Sequence, residues 1–315
     1  MTHLEMLLAA LLLDAIVGDP KRVWSRIPHP VVLISRFVRR LDTRFNRGAR
    51  RRLKGGVSVA VLALCAVLAA WLISLVPDFG VLEMLGAAIL LAFRDLTGRM
   101  VALRRALAQP EGGLEQARQL LSRIDSRDTV ALSESGVVRA TIEGGAAGFL
   151  DGLVAPALWF LVLGLPGLVA YRVITVADSL IGHEDEQYFE FGRVTARAAH
   201  YLGWLPARLA GTLLAIAAFR QSAGDVMVSD ASLHVTPNAG WPEAAMAGGL
   251  RISTSGPRSY DGEVTDDPWI NARARRKLEL RDLRRAIRLL WRGWLLLILL
   301  LAGAEAVLWE LAQTA

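Results

Sequence analysis

Apolar residues along this chain gather into blocks, and stretches dense in arginine separate them. A helix that crosses a bilayer needs about 20 mostly apolar residues. Two windows stand out. Val57 to Val76 carries no charge, and Trp294 to Leu308 is nearly as clean, with Trp291, Trp294 and Trp309 placed like anchors at the membrane–water boundary. Three further windows are weaker. Leu4 to Val17 contains Asp14, Val81 to Phe93 contains Glu83, and Leu209 to Phe219 needs Trp204 to Arg208 to lengthen it. The stretch Phe149 to Ala177 is long but interrupted by Gly164-Leu165-Pro166-Gly167, and two glycines around a proline end a helix. The pattern predicts two short helices in a re-entrant or tightly turned hairpin. Irregular backbone at membrane depth is tolerated where it lines a cavity, so this hairpin is a candidate site.

Between the blocks the polar segments have distinct characters. Arg36 to Lys54 is an arginine-rich loop, and basic loops stay on the cytoplasmic side, which places the N-terminus outside. Arg94 to Gly145 reads as helix, with Leu103, Leu107, Leu114 and Leu121 at roughly helical spacing. Gln221 to Arg288 is hydrophilic, with clusters of Pro, Gly, Ser and Asp, and it closes in a basic helix from Arg273 to Arg292 that runs into the last span. Counting crossings puts this segment outside, whereas its arginines put it inside. The expected fold is all-α and polytopic, with about five or six membrane segments. One membrane-embedded domain covers 1–315, and a polar loop subdomain lies within it at 221–290.

Composition agrees with a membrane protein. Hydrophobic residues make up 53% of the 315 positions, above the share of about 45–50% usual in soluble domains. The net charge of +6 has a ready explanation in arginines that flank apolar spans and meet anionic headgroups. There is no zinc-finger spacing, RNA-binding signature or aromatic-rich basic patch, so nucleic acid is not an expected partner. Cys65 is the single cysteine, which excludes an internal disulfide and a cysteine metal site. The N-terminus lacks a basic n-region and a small-residue cleavage site, and reads as a retained membrane segment.

No phosphate-binding glycine loop, dinucleotide fingerprint, nucleophile elbow or His-Glu-x-x-His is present. The chemistry must come from polar clusters beside apolar spans. Gly18-Asp19-Pro20 and His29-Pro30 follow the first block, where a turn with a helix stop is the plainer reading. Ser126-Arg127-Asp128-Thr129, Glu143 and Asp151-Gly152 lead into the broken hairpin, and a carboxylate at a membrane boundary is costly without a partner or a task. Ala177-Asp178-Ser179 through His183 leaves the hairpin. Its carboxylate and hydroxyl suit Mg²⁺ or a phosphate, with a helix cap as the rival. Thr236-Pro237-Asn238-Ala239-Gly240-Trp241-Pro242-Glu243 reads as a rigid turn that carries Trp241 and Glu243.

These segments, in this order, resemble the CobD/CbiB family of cobalamin biosynthesis, the adenosylcobinamide-phosphate synthases. The resemblance runs from Leu12-Leu13-Asp14, Gly18-Asp19-Pro20 and His29-Pro30, through Ser126-Arg127-Asp128-Thr129, Asp151-Gly152 with Ala155-Pro156, and Ala177-Asp178-Ser179 with Ile181-Gly182. It continues through Phe191-Gly192, Ala196-Arg197 and Pro206-Ala207-Arg208-Leu209 to Pro237-Asn238-Ala239-Gly240-Trp241-Pro242-Glu243-Ala244. It implies a multi-pass protein of the bacterial inner membrane, embedded in the lipid bilayer. The implied reaction joins aminopropanol or its phosphate to the last free carboxylate of adenosylcobyric acid, a corrinoid. ATP and Mg²⁺ are implied, with an acyl phosphate as the activated acid.

On that reading Asp151, Glu143, Glu243 and Asp178 are the catalytic candidates, and Asp151 and Asp178 the metal ligands. Arg127 and Asp128 would help hold the nucleotide. Asn238 and Trp241 would meet the corrinoid or the amine, with Ser179, His29 and Asp19 as further contacts. A homo-oligomer, or contacts with other membrane proteins of the pathway, are compatible with it. The chain departs from the family pattern at Ala147-Gly148, Thr175-Val176, Ala199-His200 and Gly203, each replacing a carboxylate or amide. Those losses frame the alternative, a non-catalytic CobD/CbiB-like or AmpE-like membrane protein acting as partner or sensor.

Overall fold

The computed structural model describes residues 1–183, 185–260 and 262–314. The described chain is mostly helical, in the order α1 (His3–Val17), α2 (Lys21–Trp24), α3 (Pro30–Phe45), α4 (Arg51–Ser74), α5 (Val81–Leu90), α6 (Phe93–Leu107), α7 (Gly113–Leu121) and α8 (Glu134–Phe149). A π-helical turn, Leu150–Val154, leads into α9 (Ala155–Ile181), followed by α10 (Arg193–Ala217), α11 (Gln221–Asp230), a 3₁₀ turn (Ala231–Leu233) and α12 (Pro237–Leu250). Four short strands, β1 (Thr254–Ser255), β2 (Arg258–Tyr260), β3 (Glu263–Thr265) and β4 (Trp269–Ile270), precede α13 (Leu280–Thr314). β1 pairs with β4 and β2 with β3, both antiparallel, and an isolated parallel bridge joins Ile252 to Arg275.

Among the described residues, three helical stretches are long and apolar enough to cross a membrane: Arg51–Ser74, Glu134–Ile181 and Leu280–Thr314. The weaker windows at Leu4–Val17 and Val81–Phe93 fall in helices of 15 and 10 residues, short of the length a bilayer needs. The chain separates into two compact units. One comprises Met1–Arg94, Asp151–Pro206 and the C-terminal stretch from Glu305; the other comprises Asp95–Leu150 and Ala207–Ala304.

In the first unit, local signals start and stop the helices as physical chemistry requires. Thr2 accepts a hydrogen bond from the Glu5 amide at 3.1 Å and Glu5 reaches back to the Thr2 amide at 2.8 Å, a capping box that opens α1. His29 accepts from the Val31 amide ahead of Pro30, which opens α3. Here the arginine-rich loop expected from Arg36 is instead helix as far as Phe45. Ile34, Val38 and Leu41 recur at helical spacing and turn one apolar side inward, while Arg36, Arg39, Arg40 and Arg44 stay exposed. Helix α9 is the centre of the unit and packs against α1, α3, α4 and α5.

The expected break in α9 is present. Gly164 stands at φ 65°, ψ −158°, outside the helical region. The chain doubles back there, because Tyr171 reaches Asp151 at 2.8 Å. In one straight helix those residues would stand about 30 Å apart, at 1.5 Å per residue. The new helix start is served by Glu83, whose carboxylate accepts from the Leu165 amide at 3.4 Å and from the Ser74 hydroxyl.

In the second unit, α12 packs on α11 and α8. Its sequence, expected as a rigid turn, is a helix buried from Pro242 to Leu250. Pro237 takes the first helical position, where no amide partner is needed. Gly240 lets the backbone approach its neighbour, since a Cβ there would stand 2.1 Å from the Ala231 carbonyl oxygen. The small residues Ala244, Ala245, Ala247, Gly248 and Gly249 then bury the helix without an apolar stripe of large side chains.

Candidate functional site

Two polar clusters contain the candidate residues, one in each unit. The cluster in the second unit is built on Glu143, about two and a half turns into α8 and buried. Glu143 Oε1 accepts from the Ser255 amide at 2.8 Å, and Glu143 Oε2 lies 2.9 Å from Arg127 Nη2 and 3.3 Å from Arg258 Nη2. Ser255, on β1, adopts φ 57°, a left-handed conformation uncommon away from glycine. Its amide serves Glu143, and its hydroxyl donates to Glu243 Oε1 at 2.7 Å. Glu243, one turn and a half into α12, holds His234 Nε2 at 3.2 Å through its second oxygen. A second carboxylate, Asp125, holds Arg127 Nε at 2.9 Å. Two glutamates, two arginines, a serine and a histidine thus form one continuous network.

The network sets the charge of its members. Burial alone would lower the pKa of Arg127 and Arg258. The adjacent carboxylates, Glu143 foremost, outweigh that and raise both. Burial also disfavours a charged His234, but the hydrogen bond and charge of Glu243 raise it above 6.5. Burial would raise Glu243, yet His234, Ser255 and Arg258 together bring it below 4.5. His234 Nδ1 stands 2.9 Å from both the Thr236 amide and the Thr236 carbonyl. A charged ring can donate to the carbonyl and a neutral ring can accept from the amide, so both protonation states have a local partner.

Other candidates in this unit have different roles. Asp128 clamps the β2–β3 ribbon: its backbone amide donates to the Ser259 carbonyl at 2.8 Å, and its carboxylate accepts from the Ser259 hydroxyl and from the Gly262 amide at 2.9 Å. Asn238 is half-buried at the start of α12. The Arg208 guanidinium stacks 4.5 Å from the Trp241 ring centroid, a cation–π contact that fixes the indole.

The cluster in the first unit surrounds the gap between α5 and α6. At Leu91 the backbone becomes extended, which frees carbonyl and amide groups that a buried segment must pair elsewhere. Arg172 donates from Nε to the Leu90 carbonyl at 2.8 Å, and again from its Nη2. His29 Nε2 lies 3.2 Å from the Ile89 carbonyl and 3.5 Å from Asp19. Asp14 accepts from the Phe93 amide at 3.1 Å, and the Ala92 amide donates to the Gly152 carbonyl at 2.9 Å. His29 therefore stands at a helix end in this structure, with Asp19 beside it.

Asp151 lies in the π-helical turn and is exposed, although the Tyr171 hydroxyl that donates to it is buried. Asp178 sits near the end of α9, half-buried and within electrostatic reach of Asp151. The helix cap expected as its rival function is not an N-cap: the segment ends a helix, and the Asp178 backbone carbonyl receives the Gly182 amide at 2.7 Å. Ser179 is exposed and donates to the Val176 carbonyl at 2.9 Å. Among the described residues there is no group of three or more His, Cys, Asp or Glu side chains suited to a metal ion.

Several residues of these clusters escaped the sequence reading. Ser255, Arg258 and His234 lie in the polar segment with no motif of their own. Arg172 had a usable signal, since an arginine inside an apolar run calls for a partner.

The sequence profile of the family described as CobD/Cbib protein matches residues 7–290. The chain is 40% identical to the cobalamin biosynthesis protein CobD of Brucella suis biovar 1 (strain 1330), over 96% of this chain and 97% of that one. It is 39% identical to the protein of the same name from Rhodobacter capsulatus, covering 99% and 100%. The one from Sinorhizobium fredii (strain NBRC 101917 / NGR234) is 37% identical over 96% of both chains. No solved structure matches.

Proposed function

Because the chain belongs to the CobD/CbiB family and takes part in cobalamin biosynthesis, we propose that it is the ligase that joins aminopropanol or its phosphate to adenosylcobyric acid in the bacterial inner membrane. The observation that carries this reading is the network of Arg127, Glu143, Ser255, Arg258, Glu243 and His234. It gathers residues from distant parts of the chain around buried charge, as a site for phosphoryl and acyl transfer requires.

The reaction has two parts. A carboxylate oxygen of the corrinoid attacks the γ-phosphorus of ATP, ADP leaves, and an acyl phosphate forms. The amine nitrogen then attacks the acyl carbon, the C–N bond forms, and inorganic phosphate leaves. The amine must first lose its ammonium proton. His234, held by Glu243, is the base we assign to that step. Arg127 and Arg258 stabilise negative charge on the transferring group, and Glu143 holds both guanidinium groups in place. Trp241, fixed by Arg208, is the aromatic side chain we assign to the corrinoid. Within the first unit, Asp151 and Asp178 are the carboxylates we assign to Mg²⁺, a hard cation that usually takes one or two carboxylates together with phosphates. When bound, Mg²⁺ would neutralise phosphate charge.

The alternative, a non-catalytic partner or sensor, draws on one observation. At Gly148, where the resemblance expects an amide, a Cβ would stand 2.5 Å from Leu96 Cδ1, so the position is packed rather than polar. Complementation separates the readings. The chain is expressed in a bacterium lacking its own synthase and supplied with cobyric acid. Cobalamin-dependent growth that His234→Gln and Glu243→Gln abolish supports the ligase. No growth, with folded protein in the membrane, removes it.

A further inference from the structure

Helix α13 approaches its apolar span through a run of arginines. Arg285, Arg288 and Arg292 are spaced by three and four residues, so they share one face. Together with Arg220 they line a cavity of about 550 Å³ in the second unit. That volume lies in the range of about 300–1,000 Å³ usual for small-molecule sites. Gly249 forms part of its wall, where a Cβ would stand 2.8 Å from the Ala218 Cβ. Phe219, at φ 51°, turns the chain so that Arg220 reaches the same cavity.

The cavity lining contains four cations and no carboxylate. Among the described residues, the side chains of Arg220, Arg288 and Arg292 make no hydrogen bond or ion pair with the protein. Arg285 has only Asp282, at 3.6 Å, and that carboxylate already receives Arg275 through two contacts of 2.8 Å. Like charges gathered without a counter-charge are unfavourable unless an anion joins them. Guanidinium forks match phosphate oxygens in particular. The cavity also lies within a turn of Trp294, where the clean apolar run of α13 begins.

We propose that this pocket binds a ligand through its phosphate group, supplied either by an anionic phospholipid headgroup or by a soluble phosphate ester. The site stands whether or not the ligase chemistry holds. The full chain would be placed in phosphatidylcholine nanodiscs and titrated with radiolabelled pyrophosphate. In parallel, phosphatidylglycerol retained by the protein would be counted by mass spectrometry. Arg288→Gln with Arg292→Gln should weaken one of the two by about tenfold or more, as expected for lost charge-assisted hydrogen bonds. Arg281→Gln, outside the pocket, should leave both unchanged. Loss confined to pyrophosphate identifies a soluble phosphate, and loss confined to phosphatidylglycerol identifies a lipid. Hydrogen exchange on the unaltered protein gives a test free of folding effects: either probe should protect 218–224 and 284–292. Binding of both probes independent of these arginines, or no protection by either, overturns the proposal.

Discussion

The Tyr171 hydroxyl donates to Asp151 at 2.8 Å across the turn at Gly164, joining the two arms of a hairpin inside the apolar region. Tyr171 is buried and Asp151 is exposed, and the tyrosine holds the carboxylate through one of its two oxygens. Tyr171→Phe should cost about 1 kcal/mol of stability, the usual net value of a hydrogen bond. If Asp151 is a metal ligand, turnover in the same variant should fall further at low Mg²⁺ and recover as Mg²⁺ rises. Thermal unfolding in detergent and a Mg²⁺ titration of activity would check the two parts separately.

The turn itself depends on glycine. Gly164 adopts φ 65°, ψ −158°, and a Cβ there would lie 3.0 Å from His3 Nε2 and 3.2 Å from Glu83 Oε1. Backbone conformations of this kind cost other residues about 1–3 kcal/mol. Gly164→Ala should therefore lower the apparent melting temperature, whereas an alanine at Gly144, with no atom within 4 Å of its Cβ, should not. Equal effects at both positions would show that the turn carries no conformational demand.

The hairpin and the longest apolar helices were legible because their signals are local: an uncharged run, or a Gly-Leu-Pro-Gly interruption. The polar site was only half legible. Glu143, Arg127 and Glu243 lie in recognisable motifs, but their partners Ser255, Arg258 and His234 are assigned by tertiary contacts that leave no periodicity. Helix α12 misled the reading for a related reason. Its two prolines and its glycines look like a turn, and only the neighbour beside Gly240 reveals that they allow close helix packing. For Asp19 and His29 the plainer reading, a turn with a helix stop, has a visible counterpart: His29 opens α3 and stands 3.2 Å from the Ile89 carbonyl near the end of α5.

Glu143 is the common partner of two arginines, so removing its charge leaves Arg127 with Asp125 at 2.9 Å and Arg258 with Asp267 at 3.8 Å. Breaking a buried ion pair on one side costs about 3–5 kcal/mol, because the remaining charge stays desolvated. Glu143→Ala should lower the yield of folded protein severely. Glu143→Gln keeps the shape and an acceptor oxygen for the Ser255 amide, and should fold better while losing activity. Fluorescence-detected size exclusion of both variants, beside the wild type, measures the difference. Wild-type behaviour of Glu143→Ala would contradict the role assigned to the network.

The His234–Glu243 pair makes stability and activity respond to pH in opposite directions. His234 has its pKa raised above 6.5 by the hydrogen bond and charge of Glu243, against the opposing effect of burial. Its contribution to stability is therefore full below 6.5 and is lost as pH rises through the folded value. Glu243 is held below 4.5, chiefly by His234, although burial opposes this. Its contribution is present above 4.5 and is lost as pH falls through the folded value. The pair should thus stabilise the chain most between 4.5 and 6.5. As the base for the amine, however, His234 must be neutral, so turnover should rise with pH over the range in which the stabilisation fades. Melting temperature and initial rate measured across pH, for the wild type and for His234→Gln, test both halves. The variant should lose the alkaline decline in stability along with the activity. If its melting curve follows the wild type at every pH, the coupling assigned to this pair is wrong.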